Sequence, residues 1–207
     1  MNCYIFDVDG TLIDSSVVEL PALRQVLDEY GYAHTPEKLK KAFGMTGTQG
    51  LAYFGVPEAQ QAEVMHRWES ISYSNLSQVK IYDGMVDTLR ALRERGEKLG
   101  IVTSRTRSQF AGGVKPLGLD RYFDAIVCSD DVEHPKPAPD AAAECLRRLG
   151  GSAGRAVYIG DSGFDMQCAR SAGVKSVLAL WGTHEPELEA DLRLGHPSEI
   201  LTLSILI

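Results

Sequence analysis

The sequence predicts an α/β fold in which a parallel β-sheet, with helices on its faces, is interrupted by an all-helical segment. From Lys98 onward, short apolar runs alternate with helix-like stretches, which is the pattern of βαβ units. Between about Ser15 and Asp83 the pattern is one helix after another, without a convincing strand. The apolar run at residues 3–6 matches the later strands, so we expect it to belong to the same sheet.

The alternating part of the chain supplies most of the predicted sheet. Strands are predicted in KLGIVTS, FDAIVCS, AVYIGDS and KSVLAL, and helices in RSQFAGGVKPLG, PDAAAECLRRLG and DMQCARSAG. Parallel strands need crossover connections, so each of these helices is expected to pack on a face of the sheet. After KSVLAL the sequence is typical of a polar tail, in which no further strand is predicted.

The helical segment is predicted to be a second domain. In PEAQQAEVMHRWESISY, the residues Met65, Trp68 and Ile71 are three apart and form an apolar stripe on one helix face. Such a stripe is typical of core packing rather than of a cofactor site. We therefore expect a sheet domain formed by residues 1–14 and 84–207, and a helical domain formed by residues 15–83.

Composition excludes several classes of function. The chain has 207 residues with 44% hydrophobic and 24% charged residues, as in an ordinary soluble globule. Its net charge of −7 argues against a nucleic-acid backbone as the main partner. The four cysteines form no CxxC pair, which favours a reducing, cytoplasmic location over a zinc site or a disulfide framework. No signal peptide and no apolar run of membrane-spanning length is found, so no membrane partner is expected.

Two aspartates, Asp7 and Asp9, follow the first strand in the run CYIFDVDGTLID. A strand places residues i and i+2 on one face, where two carboxylates repel each other unless a cation or a shared proton relieves them. A solvated acidic turn is the plain alternative. An EF-hand loop is excluded because Leu12 and Val18 stand where that loop needs Gly and Glu. The leading hypothesis is a site for a hard divalent cation.

Other predicted strands also end in polar groups, and ligands of open parallel sheets bind at these carboxyl ends. Each group has an ordinary alternative: a strand or cap residue, a surface charge, or acids at a helix N-terminus. Together, acids with a lysine and a hydroxyl suit phosphoryl transfer with Mg²⁺. Neither GxxxxGK[ST] nor GxGxxG occurs, so a carboxylate nucleophile is the economical mechanism. The residues are Thr103 after the second strand, Lys136 between two prolines, and Asp161 and Asp165 after AVYIG.

The segments DVDGTLID, IVTSR, HPKPAPD and GDSGFD, in this order, resemble the four motifs of the haloacid dehalogenase superfamily. The resemblance implies a Rossmann-like doubly wound parallel sheet core with an inserted α-helical cap domain. The cap is placed as in the phosphoglycolate phosphatase and β-phosphoglucomutase-like branch. By motif position, the resemblance implies a nucleophile at Asp7, a general acid/base at Asp9, a phosphate-binding hydroxyl at Thr103 and lysine at Lys136, a metal-binding acid at Asp161, and its outer-shell partner at Asp165.

The acid two residues after the nucleophile resembles the motif of the superfamily's phosphatases and phosphomutases, which keep an acid at that position. The superfamily's dehalogenases do not. The implied function is a Mg²⁺-dependent phosphoric monoester hydrolase that acts on a small phosphorylated metabolite through an aspartyl-phosphate. The metal would be held by Asp7, the backbone carbonyl of Asp9 and Asp161. A sugar phosphomutase of the β-phosphoglucomutase type is the alternative within enzymes. A phospho-signalling receiver domain is the alternative from another class, although it explains neither Asp9 nor the cap.

Two features of uncertain role accompany these motifs. The segment 44–50, GMTGTQG, is either a loop that contacts substrate or an ordinary loop between helices. Arg105 and Arg107 follow the second motif and could reach a second anionic group on the substrate, but surface charge is the expected role.

Overall fold

The computed structural model describes residues 2–203 and has the predicted α/β architecture. Six parallel strands form one sheet in the order β5-β4-β1-β6-β7-β8, so β1 lies at the centre with β4 and β6 on its two sides. The strands of this sheet are β1 (Cys3–Phe6), β4 (Lys98–Val102), β5 (Ala125–Val127), β6 (Ala156–Gly160), β7 (Lys175–Ala179) and β8 (Leu192–Leu194).

Alternate residues of β1 enter two separate cores, because successive side chains of a strand point to opposite faces. Tyr4 and Phe6 pack into a cluster with Leu89 of α5 (Met85–Glu94). Cys3 and Ile5 pack into a cluster on the other face. That second cluster includes residues of α7 (Asp140–Leu149) and α8 (Gly163–Ser171), while α6 (Arg107–Gly113) contributes Phe110 to the first cluster. Helices therefore cover both faces, and the predicted doubly wound sheet is confirmed.

An all-helical cap follows β1, also as predicted. Its helices bury a third, separate core that includes Leu23, Leu27 and Val64, with Met65, Trp68 and Ile71 packed against it. The apolar stripe on α4 thus serves packing, as expected. The cap helices are α1 (Ser16–Tyr30), α2 (Pro36–Ala42), α3 (Gly47–Tyr53) and α4 (Glu58–Ser74).

Two short pairings were not expected from the sequence. The segments that lead into and out of the cap pair as two-residue antiparallel strands, β2 (Ile13–Asp14) and β3 (Lys80–Ile81). The region after β7, expected to be a polar tail without a strand, contains β8 at the edge of the large sheet. That expectation was wrong because β8 has three residues, two of them exposed, and therefore carries almost no apolar pattern.

Candidate active site

The polar groups predicted at the strand ends meet at the carboxyl edge of the sheet, around β1. Strand order reverses at β1, since the chain continues to β4 on one side and reaches β6 on the other. This is the position where open α/β sheets form a ligand crevice. Asp7 follows β1, Thr103 follows β4 and Asp161 follows β6; all three are at most 4% exposed.

Three carboxylates form the centre of this site. One oxygen from each of Asp7, Asp161 and Asp165 lies within 4.8 Å of the others, and all three residues are buried. The Lys136 ammonium group lies 2.8 Å from Asp7 Oδ1 and 2.7 Å from Asp165 Oδ1. When all three carboxylates are ionised, one ammonium group leaves two negative charges uncompensated, so the cluster could bind a divalent metal ion.

Burial and mutual repulsion decide the ionisation of the cluster. Burial raises the pKa of Asp7 to about 7; the charge of Asp165 adds to the shift, and Lys136 opposes it. Burial, together with Asp165 and Asp7, also raises the pKa of Asp161 well above its usual range. Burial alone would lower the pKa of Lys136, but the two neighbouring carboxylates outweigh it and raise that pKa. Lys136 alone therefore does not offset burial and Asp165, and a bound cation would lower the pKa of Asp7.

Asp165 is held differently from the other two acids. Its Oδ1 accepts hydrogen bonds from Lys136 (2.7 Å) and from the buried Tyr158 hydroxyl (3.1 Å). Its Oδ2 accepts from the backbone N–H and hydroxyl of Ser162 at 3.1 and 2.6 Å. The Ser-x-x-Asp spacing is that of a capping box, which starts α8. Both oxygens are thus engaged, which leaves Asp7 and Asp161 as the acids open to a metal ion.

Gly10 sets how closely the backbone approaches Asp161. Its φ is +76°, and a Cβ built there would lie 2.3 Å from Asp161 Oδ2. A side chain at this position would therefore displace the carboxylate. Thr11 Oγ1, on the next residue, donates to Asp161 Oδ1 at 3.1 Å. The turn after Asp9 thus fixes a group that follows β6, about 150 residues further along the chain.

Asp9 is not part of the carboxylate cluster and lines a cavity of about 80 Å³ between the sheet edge and the cap. The Asp9 Oδ1 atom accepts hydrogen bonds from Ser15 and Arg105, and its Oδ2 accepts from Arg105. Burial opposes the ionisation of Asp9, but the Arg105 guanidinium outweighs burial and lowers the pKa. Asp7 and Asp9 are therefore neighbours in sequence with opposite electrostatic environments.

The expectation of surface charge is wrong for Arg105. Its side chain is 13% exposed, and it also bonds Glu19 of α1, with Nη2 2.7 Å from Glu19 Oε1. Arg107 is 48% exposed and pairs with Asp131, as expected for a surface charge. Sequence reasoning missed Glu19 and Tyr158, because nothing near them in sequence marks their contacts.

The segment 44–50 is only partly a loop. Thr46 caps α3, which begins at Gly47, so the reading as a loop fails from that residue on. Gly44, Met45 and Gly47 line the cavity, and the Ser104 hydroxyl donates to the Gly44 carbonyl at 2.7 Å. Cap and core are thus in direct contact on the side of Thr103.

Comparisons with known proteins agree with this geometry. The family model of the haloacid dehalogenase-like hydrolases matches residues 4–179. A pyrophosphatase, PpaX, from Bacillus pumilus is 29% identical over 208 residues, which cover 98% of this chain and 96% of the relative. A phosphoglycolate phosphatase from Aquifex aeolicus is 31% identical over 206 residues, again covering 98% and 96%.

Solved structures give the same result for the fold. The crystal structure of a hydrolase from Pseudomonas syringae superposes with a TM-score of 0.86 at 24% identity, covering 98% of this chain and 97% of that one. Within residues 2–203, no helix is long and apolar enough to cross a bilayer. The prediction of an enzyme, a phosphatase-type hydrolase of this superfamily, is confirmed. The chain belongs to the haloacid dehalogenase-like hydrolase family.

Proposed function

We propose that the enzyme is a Mg²⁺-dependent phosphatase that hydrolyses a small phosphorylated metabolite through an aspartyl-phosphate on Asp7. The observation that carries this proposal is the meeting of Asp7, Asp161 and Lys136 at the sheet edge, below a small cavity lined by Asp7 and Asp9. This arrangement offers a nucleophile, a cation site and a phosphate-binding charge to one phosphoryl group.

Asp7 is the proposed nucleophile. Lys136 holds one Asp7 oxygen at 2.8 Å, so the carboxylate has a fixed orientation at the end of the central strand. Attack on phosphorus forms a carboxylate O–P bond and breaks the ester bond. Water then attacks the phosphorus of the aspartyl-phosphate, which releases inorganic phosphate and restores Asp7.

Asp9 is the proposed general acid and base. It gives a proton to the leaving oxygen in the first step and takes one from the attacking water in the second. Its side chain lines the cavity in which the leaving group would lie. Burial raises the pKa of Asp7 and Arg105 lowers the pKa of Asp9, so these roles require a bound cation at Asp7 and the release of Asp9 from Arg105.

The residues around Asp7 fit a magnesium ion. Asp7, the backbone carbonyl of Asp9 and Asp161 would hold it, and Asp165 would act as an outer partner through its bond to Lys136. Their donors are all oxygen, which Mg²⁺ prefers, and the two uncompensated negative charges match a divalent ion. When bound, Mg²⁺ supplies positive charge to the phosphoryl oxygens. Lys136, the Thr103 hydroxyl and nearby backbone N–H groups neutralise the rest.

The cavity between the sheet edge and the cap is the proposed place of the leaving group. Asp7 and Asp9 line it together with residues of the cap, which would exclude water from the reacting atoms. The relatives are named for pyrophosphate and phosphoglycolate, which are both small phosphorylated compounds. Nucleic acid and membrane lipid are not proposed as partners.

Two further expectations stay proposals. We place the enzyme in the cytoplasm, which its four free, buried cysteines support. We also keep the domain division at residues 15–83, since the helical core of the cap is separate from the two cores of the sheet domain.

The test is phosphate release with Mg²⁺ from a panel that contains phosphoglycolate, pyrophosphate and sugar phosphates. We expect multiple turnovers by the natural chain and essentially none by Asp7→Asn. Undiminished turnover by that variant would exclude Asp7 as the nucleophile. Interconversion of sugar phosphates without phosphate release would establish the mutase instead. A stable phospho-protein that does not turn over would point to a receiver.

A further inference from the structure

We infer that Arg105 is a specificity residue that selects substrates whose leaving group carries its own anionic group. This inference rests on the proposed phosphatase function and adds the substrate class. In the structure, Arg105 is bonded to Asp9 through two nitrogens, each 2.8 Å from an Asp9 oxygen. On substrate binding, an anionic group on the leaving group takes the place of Asp9 on the guanidinium.

The hydrogen bonds of Asp9 make this exchange necessary. One Asp9 oxygen accepts from Ser15 and Arg105, and the other accepts from Arg105. A general acid must present an oxygen to the leaving group at about 2.6–3.2 Å. Both Asp9 oxygens accept from N–H or O–H groups here, so neither presents a proton to a leaving group while Arg105 holds this two-pronged contact. A substrate that does not bind Arg105 therefore leaves Asp9 paired with Arg105, and its leaving group receives no proton from Asp9.

The cavity identifies what draws Arg105 away. Arg105 is the only cationic side chain among the described residues that line it. Its guanidinium is also bonded to Glu19 of the cap, which the Ser72 hydroxyl holds at 2.9 Å. Glu19 therefore keeps Arg105 at the cavity wall when Asp9 is released. A planar carboxylate or a phosphate matches the two-pronged guanidinium, so an incoming anion replaces the Asp9 carboxylate in kind.

One other side chain that lines the cavity has a donor without an acceptor. Trp68 lines the cavity, and its indole nitrogen is buried without a hydrogen-bond partner among residues 2–203. Burial of an unpaired donor costs free energy, which an acceptor on the ligand would recover. Apolar side chains such as Leu20, Leu23 and Met65 form much of the remaining wall. Glu69, a further acid of the lining, accepts a hydrogen bond from Gln109 at 2.9 Å. Arg105 and Trp68 are thus the groups of the cavity suited to a short apolar spacer that ends in an acceptor-rich, anionic group.

A matched pair of substrates tests the inference. Phosphoglycolate and its amide, phosphoglycolamide, have the same number of non-hydrogen atoms and differ in one charge. With the natural chain and Mg²⁺, we expect kcat/KM for the carboxylate to exceed that for the amide by at least about tenfold, which equals ~1.4 kcal/mol. Glu19→Gln frees Arg105 from one carboxylate. The Gln side chain keeps an oxygen for Arg105 but not the charge, so KM for phosphoglycolate should fall several-fold relative to KM for the amide.

Removal of the guanidinium should abolish the preference. Arg105→Met alone leaves Asp9 and Glu19 without their cation and can impair folding, so the double variant Arg105→Met/Glu19→Gln is the main reagent. We expect its ratio of kcat/KM between the two esters to fall to near one. A purely structural role would lower both rates together and leave this ratio unchanged.

Three results would overturn the inference. One is equal kcat/KM for the two esters with the natural chain. Another is a preference that survives in the double variant, and the third is a Glu19→Gln enzyme whose KM values do not change. In each case Asp7-dependent phosphate release would still support the phosphatase. If no ester in the panel releases phosphate, the inference and the proposed function fail together.

Discussion

The Lys136 ammonium group holds the carboxylate cluster together, and its removal gives the sharpest test of the site. Its side chain is 1% exposed and lies 2.8 Å from Asp7 and 2.7 Å from Asp165, which are 4% and 0% exposed. Lys136→Met keeps most of the side-chain volume but removes the cation that is paired with these two buried carboxylates. Breaking a buried ion pair in this way costs about 3–5 kcal/mol. That is a large part of the roughly 5–15 kcal/mol that stabilises a typical domain.

A second substitution separates stability from catalysis. Asp165→Asn removes one buried negative charge, while the amide oxygen can still accept from Ser162 and the amide nitrogen can donate to the Tyr158 hydroxyl oxygen. In the double variant, the penalty of Lys136→Met should therefore be smaller than in the natural background, by at least about 1 kcal/mol of coupling. Phosphate release should stay lost, because no ammonium group faces the phosphoryl oxygens. Recovery of stability without recovery of activity is the expected pattern.

Urea unfolding in metal-free buffer, followed by circular dichroism, measures the four free energies of unfolding. The exposed Lys115→Met serves as the control and should change stability by no more than about 0.5 kcal/mol. If the losses of unfolding free energy from Lys136→Met and Asp165→Asn were strictly additive, the reasoning would be refuted. A Lys136→Met protein as stable as the control would refute it too. A double variant that regained phosphatase activity would show that Lys136 acts only as a structural counter-charge.

Three other outcomes follow from the geometry. Gly10→Ala and Gly31→Ala both place alanine at positive φ, at +76° and +75°. Only the first substitution would push a Cβ into a carboxylate, so only Gly10→Ala should abolish activity. Equal losses of kcat/KM in the two variants would contradict this. Burial raises the pKa of Asp7 to about 7 from 3.8, so the metal-free folded state keeps a proton that the unfolded state releases. The melting temperature of the metal-free protein should therefore fall as pH rises from 5 to 8. Added Mg²⁺ should raise the melting temperature more at pH 8 than at pH 5, and an Mg²⁺ effect that does not depend on pH would argue against a metal site at Asp7. Ser104→Ala removes the 2.7 Å bond to Gly44 in the cap and should raise KM several-fold, whereas an unchanged KM would show that this contact does not hold the cap closed.

The elements that could be predicted from the sequence are those with a strong local pattern. The strand β6 is five buried residues that end at Gly160 and are followed by an acid, and α7 runs between a proline and a glycine, so both are marked within a few residues. The strands β2 and β8 have two and three residues. Pairing with a distant partner, rather than local pattern, defines such short strands, and no window of sequence contains that information.

The site divides in the same way. The carboxylates and Lys136 stand in fixed motifs, so their meeting could be expected. The burial of Arg105 could not, because its partners Asp9 and Glu19 lie 96 and 86 residues away in the chain. An arginine after a strand is ordinarily solvated, and only the closed cap excludes water from this one. The residues that we expect to determine specificity are thus less visible in sequence than those that perform the chemistry.

The pairing of β2 with β3 bears on how such an enzyme can change over time. Asp14 and Lys80 are direct neighbours across this pair, so the chain enters and leaves the cap at nearly the same point. Everything between them is topologically a single hairpin loop. Its length and content can therefore vary without moving the strands that carry Asp7, Thr103 and Asp161. Selection can exchange one substrate for another on an unchanged reaction centre, and a designer who grafts a different cap between these two strands would be using the same freedom.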